Sequence, residues 1–299
     1  MSEAWIIDAC RTPRGIGKRG KGALAHLHPQ HLGATVLKAI AERNQLDTAQ
    51  VDDIIFGTSS QRGQQGGDLA RMAALDAGYN TLASGVTLDR FCGSGITAVN
   101  LAAASIMSGM EDLVIGGGCE MMSTFGQDPN QSPFLDSDNL HLREQYPQPH
   151  QGVCADAIAT LEGIDRTALD SLAVVSQQRA DHAIRNGYFA RSLVPVYNLD
   201  GSLALGHEEF PRPQTTLASL AELKPSFEAM ANYPLNDSGV TFGSEIRRVY
   251  PDLVIKHVHH AGNSSGVVDG AAAILLASPE YARVHGLKPR ARFVAMANI

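Results

Sequence analysis

Between Val86 and Ile115 the chain reads VTLDRFCGSGITAVNLAAASIMSGMEDLVI. Two short apolar runs, Val86 to Leu88 and Leu113 to Ile115, bracket a helical segment from Gly93 to Gly109. Strand, helix and strand in that order are the parts of a right-handed parallel crossover. Within the helical segment Ile96, Val99, Ala103, Ile106 and Met110 recur at alternating spacings of three and four. Its remaining positions are mostly alanine and small polar residues, so the pattern predicts a helix buried on every side. Phe91 to Met110 holds no charged residue, but its glycines, serines, threonine and asparagine make it too polar for a membrane span.

The same rhythm extends upstream. Ala4 to Ala9 reads as a buried strand, Gln30 to Arg43 as a helix with Leu32, Val36, Leu37 and Ile40 on one face, and Ile54 to Gly57 as a second strand. Asp68 to Ala77 is a further helix, capped by Asp68 and closed by Gly78. Downstream, Phe125 to Gly152 is rich in proline, asparagine, glutamine and histidine and predicts an exposed excursion. Asp165 opens a long helix with Leu169, Leu172, Val175 and Ala183 as its apolar stripe, ending near Gly187. Residues 188–252 mix short strands with turns. Strands return at Leu253 to His257, Ala271 to Ala277 and Ala291 to Ala297, with a short helix from Pro279 to Gly286 before the last. A hydrophobic final strand needs a neighbouring sheet to bury it.

A chain of 299 residues with 44% hydrophobic content is long enough for a sizeable core. Its net charge of −7 is dispersed, without a basic block, which argues against a nucleic-acid surface. Cys10, Cys92, Cys119 and Cys154 lie far apart with no CxxC pair, so neither a disulfide framework nor a zinc site is expected, and a reducing cytosol fits. No secretory signal is visible at the N-terminus.

Cys92 falls between a strand and the first turn of a helix. Unpaired N–H groups and the positive dipole end at that place favour the thiolate, the reactive form of cysteine. Gly93 and Gly95 leave room for a substrate, and the Cys92 N–H is one candidate oxyanion donor. Read from the residues alone, Cys92 is either a nucleophile or a small buried residue at a tight turn.

The string from Val86 to Gly109, followed by Asp112 to Ser123 (DLVIGGGCEMMS), resembles the thiolase segment that carries a Cys-x-Ser nucleophile motif, here Cys92-Gly93-Ser94. Ile6 to Pro13 (IIDACRTP) is similar to the thiolase opening. Arg212 to Phe227 (RPQTTLASLAELKPSF) is similar to the coenzyme A contact segment, and Ala261 to Ala273 (AGNSSGVVDGAAA) to the turn that lines the pantetheine arm. The resemblance implies an α/β fold with a βαβαβ core, a mixed sheet covered by helices around a central buried helix. It implies a core from residues 1–123 plus 253–278, a loop domain at 124–252, and the first elements of a second core domain at 279–299. It also implies ping-pong acyl transfer through Cys92 between coenzyme A thioesters, with Arg212, Ser219, Leu223 and Phe227 meeting the coenzyme and Ser265 bonding its pantetheine arm. No cofactor and no metal is implied beyond these substrates, and a homodimer or homotetramer is.

Two departures qualify the resemblance. The Asn-Glu-Ala-Phe, Gly-His-Pro and Cys-x-Gly motifs of thiolases do not occur, so a chain truncated before most of the C-terminal domain is expected, and the alternative function is a catalytically incomplete coenzyme A-binding or partner subunit. The connection from Phe227 to Ala261 is longer than the common one, includes Arg247-Arg248, and reads as a surface insertion. His257, His259 and His260 read as packing or hydrogen-bonding groups rather than metal ligands. A decarboxylating ketoacyl synthase is a third reading, disfavoured by Ala261 to Ala273. Gly15 to Gly20 matches GxGxxG but opens no helix, so it reads as a flexible loop, and Cys119 reads as structural.

Overall fold

The computed structural model describes residues 3–125, 134–146, 148–235 and 239–297, and the chain forms two compact units. The first is Met1–Gln127 with Tyr188–Phe210 and Val267–Ile299, and the second is Asp128–Gly187 with Pro211–Gly266. In chain order the helices and strands begin with β1 (Trp5–Arg11), β2 (Gly15–Ile16), α1 (Pro29–Asn44), β3 (Asp53–Gly57), α2 (Leu69–Asp76), β4 (Val86–Leu88), α3 (Ser94–Ser108) and β5 (Leu113–Met121). There follow α4 (Leu140–Gln145), α5 (Gln151–Leu161), α6 (Arg166–Arg185), β6 (Val196–Tyr197) and β7 (Leu203–Leu205). The rest are α7 (Leu217–Ala221), α8 (Glu228–Ala231), α9 (Phe242–Val249), β8 (Val268–Ala277), α10 (Pro279–Val284) and β9 (Ala291–Arg292).

The first unit is built on a mixed sheet in the order β4-β3-β5-β8-β1-β9, with β2 pairing β8. β3 is parallel to both β4 and β5, so the β4-α3-β5 crossover passes over it. β8 runs antiparallel to β5 in unbroken register from Leu113 opposite Ala277 to Met121 opposite Asp269. Side chains alternate across the sheet as strand geometry requires. Ile54, Phe56, Leu113 and Ile115 join Leu32, Val36, Leu37 and Ile40 of α1 and Leu69 and Ala73 of α2 in one core. Ile55, Val114 and Leu276 turn to the other face and meet Ala98, Ala102 and Ile106 of α3. Local chemistry sets the helix starts: Asp68 accepts from Arg71 N at the head of α2, and Asp165 from Ala168 N at the head of α6.

The second unit gathers around Val153 and Ala157 of α5, Ala231 of α8 and Phe242 and Ile246 of α9, with Phe134 and Phe227 packed against them. The longer connection after Phe227 is therefore not a surface insertion: it forms α8 and α9, and it supplies part of this core. A reciprocal cap between Thr241 and Ser244 starts α9, and Glu245 pairs with Arg248 at 2.8 Å. Part of the predicted excursion from Phe125 to Gly152 lies outside the described residues; the described part contains α4 and the start of α5.

Four expectations change. The helix α3 is not buried all round in this chain: Ile96 and Leu101 are 71% and 47% exposed. A helix lying on one sheet face touches it along a single stripe, and that stripe is Ser94, Thr97, Ala98, Ala102, Ala103 and Ile106. In α6 the predicted stripe is also displaced, because Leu172 is exposed and the buried residue is Asp170, held by polar partners. Residues 253–260 form no strand; their backbone is held by side chains instead of a ladder. The final strand shrinks to Ala291–Arg292, paired with Trp5 and Ile6 at the edge of β1. Residues 188–210 lie in the first unit, where Arg11 N donates to Ser192 O, and 253–266 in the second.

Candidate active site

Cys92 is exposed, on the turn that leads from β4 into α3, with Gly93 at the N-cap. The turn is sharp because Phe91 adopts a left-handed conformation, φ 50°, which costs a residue with a side chain of order 1–2 kcal/mol. Ser94 pays for it locally. Its buried hydroxyl accepts from Arg90 N at 2.8 Å and donates to Phe91 O at 2.6 Å, closing the loop around the thiol. Gly93 N and Ser94 N donate to Arg90 O and Phe91 O.

The start of α3 is seated on the end of β3. A Cβ on Gly57 would lie 2.4 Å from the Ser94 carbonyl carbon, so only glycine permits this approach. The next residues are clamped by Glu120 at the end of β5, whose carboxylate accepts from Ser59 N at 2.6 Å, Gln65 Nε2 at 2.7 Å and Thr58 Oγ1 at 3.2 Å. Gln65 Oε1 in turn accepts from Met121 N. The sequence marks Ser94 only within the Cys-x-Ser motif and gives Glu120, Gln65 and Thr58 no role. Glu120, a carboxylate ending an apolar and glycine-rich strand, was the available signal.

The other thiols differ. Burial pushes the Cys10 thiol up to about 12 and raises that of Cys119 strongly, so neither presents a thiolate near neutral pH. The GxGxxG stretch is tied down rather than free: Glu209 accepts from Ile16 N and Ala23 N. Among the described residues no cluster of three metal-ligating side chains occurs.

The residues expected to meet the coenzyme belong to the second unit. Arg212 is exposed, and its amide donates to Gln177 Oε1 of α6. Ser219 occupies the third position of α7 in a reciprocal cap with Thr216. Leu223 follows that helix, and Phe227 begins α8 with its ring 5.6 Å from that of His150. Burial lowers the His150 pKa, and its Nδ1 accepts from Gly152 N at the head of α5. Ser265 is exposed beyond a turn at Gly262, where a Cβ would lie 2.5 Å from Leu220 and 2.9 Å from Leu223. That turn and the end of α7 are thus in direct contact.

The run from Lys256 to Asn263 is held by two buried aspartates. Asp156 of α5 accepts from His257 Nδ1 at 2.8 Å, His259 Nδ1 at 2.7 Å, and the amides of Val258 and His259, each at 3.0 Å. Burial alone would raise its pKa; these donors outweigh it and hold the carboxyl below the usual range. Asp170 of α6 accepts from His260 Nε2 at 2.8 Å and Asn263 Nδ2 at 3.0 Å.

A mixed α/β sheet with an exposed thiol on the turn into a helix, beside the ends of parallel strands, places a candidate nucleophile where open α/β sheets commonly carry their sites. The profile of the thiolase N-terminal domain matches residues 4–239. A β-ketoadipyl-CoA thiolase of Pseudomonas aeruginosa is 37% identical across 99% of this chain and 71% of its own length. A 3-oxoadipyl-CoA/3-oxo-5,6-dehydrosuberyl-CoA thiolase of Escherichia coli is 38% identical over the same shares. A steroid 3-ketoacyl-CoA thiolase of Mycobacterium tuberculosis is 34% identical across 98% of the chain and 66% of its own length. The chain belongs to the thiolase family of acyltransferases.

Proposed function

We propose that this protein transfers acyl groups between coenzyme A thioesters by a ping-pong reaction through Cys92. The Cys92 thiolate attacks the 3-keto carbon of a 3-ketoacyl-CoA. The bond between C2 and C3 breaks, acetyl-CoA leaves as its carbanion and takes up a proton, and the acyl group stays on sulfur as a thioester. The thiolate of a second coenzyme A then attacks that thioester, forming acyl-CoA and restoring the Cys92 thiolate. In the condensing direction the acetyl-CoA carbanion is the attacking group. The named relatives act on β-ketoadipyl-CoA, 3-oxoadipyl-CoA and steroid 3-ketoacyl-CoA, which supports 3-ketoacyl-CoA as the substrate class.

The observation that carries this reading is the exposed Cys92 on a left-handed turn that Ser94 closes. In it Arg212, Ser219, Leu223 and Phe227 contact the coenzyme and Ser265 bonds the pantetheine arm. Incubation with acetyl-CoA, followed by intact mass and peptide mapping, is expected to place one acetyl group on Cys92 and none on a Cys92→Ala variant. Acetylation at another residue, or none at all in a protein that binds coenzyme A, supports the non-catalytic binding role instead.

A further inference from the structure

We propose that the histidine run from His257 to His260 is a positioning element for the coenzyme, locked by Asp156 and Asp170 so that the turn from Ala261 to Ser265 keeps one conformation. The proposal rests on the reading of Ser265 and Leu223 as coenzyme contacts. It begins from a structural oddity: this segment belongs to no helix or strand, so its amides must find acceptors elsewhere. They find them on side chains. Lys256 N donates to Thr160 Oγ1, Val258 N and His259 N to Asp156, His260 N to Asn263 Oδ1, and Gly262 N to His260 Nδ1.

The imidazole tautomers follow from these partners. An ionised carboxylate only accepts, so His257 and His259 carry their proton on Nδ1. His260 is fully buried, and its Nδ1 accepts from Gly262 N. Its proton is therefore on Nε2, where Asp170 receives it, and the ring is neutral. His260 thus links a buried carboxylate on α6 to the amide that makes the turn. Asn263 completes the link, donating to both Asp170 Oδ1 and Val258 O.

The same lock reaches the other contact segment. Arg166, one helical turn before Asp170, pairs with it at 3.4 Å and donates to the carbonyls of Leu220 and Leu223 at the end of α7. Ser226 N donates to His259 O. Arg166 and Asp170 on α6 therefore hold both the end of α7 and the turn that precedes Ser265. The charged and titratable groups that face Asp170 are Arg166 and His260, and those that face Asp156 are His257 and His259. None of these side chains is among those expected to touch the coenzyme, so their role is to hold those that do.

The test compares coenzyme A with adenosine 3′,5′-bisphosphate, which lacks the pantetheine arm, on the whole chain. Binding is followed by calorimetry and ligand-observed NMR. Asp170→Asn removes the charge opposite Arg166 and turns one of the two accepting oxygens into a donor that faces either Arg166 Nε or the His260–Asn263 pair, and it is expected to weaken coenzyme A binding about tenfold or more. The Kd for adenosine 3′,5′-bisphosphate is expected to change less than that for coenzyme A, and the alkylation rate of Cys92 to stay as in the wild type. Equal loss of both ligands, or no loss of coenzyme A, overturns the proposal. If Asp170→Asn does not fold, His260→Gln carries the test with the same expected selectivity, because it withdraws the ring nitrogen that receives Gly262 N. Wild-type protein that does not bind coenzyme A rejects the contact assignment itself, whereas wild-type binding with unaltered variants rejects only the positioning role.

Discussion

One hydroxyl, that of Ser94, holds the turn that carries Cys92, accepting from Arg90 N and donating to Phe91 O. Removing it leaves a left-handed Phe91 without its side-chain support and the Arg90 amide without its acceptor. Ser94→Ala is expected to lower stability by about 1–2 kcal/mol. Because the thiol then samples more than one position, acyl transfer from acetyl-CoA to Cys92 is expected to slow by roughly 10–100-fold. A time course of adduct mass checks this against urea unfolding of the same variant. A slowing no larger than the fraction unfolded would show that Ser94 serves the fold alone. The Cys-x-Ser spacing was plain in the sequence. That its serine points back across the turn was not, since the bond depends on the left-handed residue between them.

At the scale of elements, α3 shows how an amino-acid pattern can predict a helix and misplace its burial. Alanine and small polar residues on every side are compatible with burial anywhere, and the sheet selects one stripe. Ile106 is within that stripe and Ile96 is opposite it. Ile106→Ala is expected to cost about 2–5 kcal/mol through the cavity it leaves, whereas Ile96→Gln is expected to stay within about 0.5 kcal/mol of the wild type. Chemical denaturation of both variants measures the difference, and equal costs would mean that both faces of α3 are covered. The segment 253–260 is the converse case. Its apolar run Leu253 to Ile255 has strand character, but the four donors that converge on Asp156 and the pair on Asp170 satisfy it without a ladder.

At the scale of the molecule, each unit has its own core, and the chain passes between them several times. Phe242 anchors the second core, near the rings of Phe134, His150 and Tyr233. Phe242→Ala is expected to weaken that unit by about 3–5 kcal/mol. In hydrogen exchange the loss of protection is expected in α5, α8 and α9, with β5 and β8 keeping theirs; loss in the central strands as well would show one cooperative core. By itself the sequence determined the α/β order, the helix starts at Asp68 and Asp165, and the place of Cys92 before a helix, because these depend on neighbours a few residues away. Tertiary structure alone decided which stripe of α3 is buried, that the connection after Phe227 builds a core, and that Asp156 and Asp170 gather the histidine run. Those outcomes depend on contacts between residues about a hundred positions apart, such as Asp156 with His259, and no local spacing encodes which buried carboxylate a distant imidazole will meet.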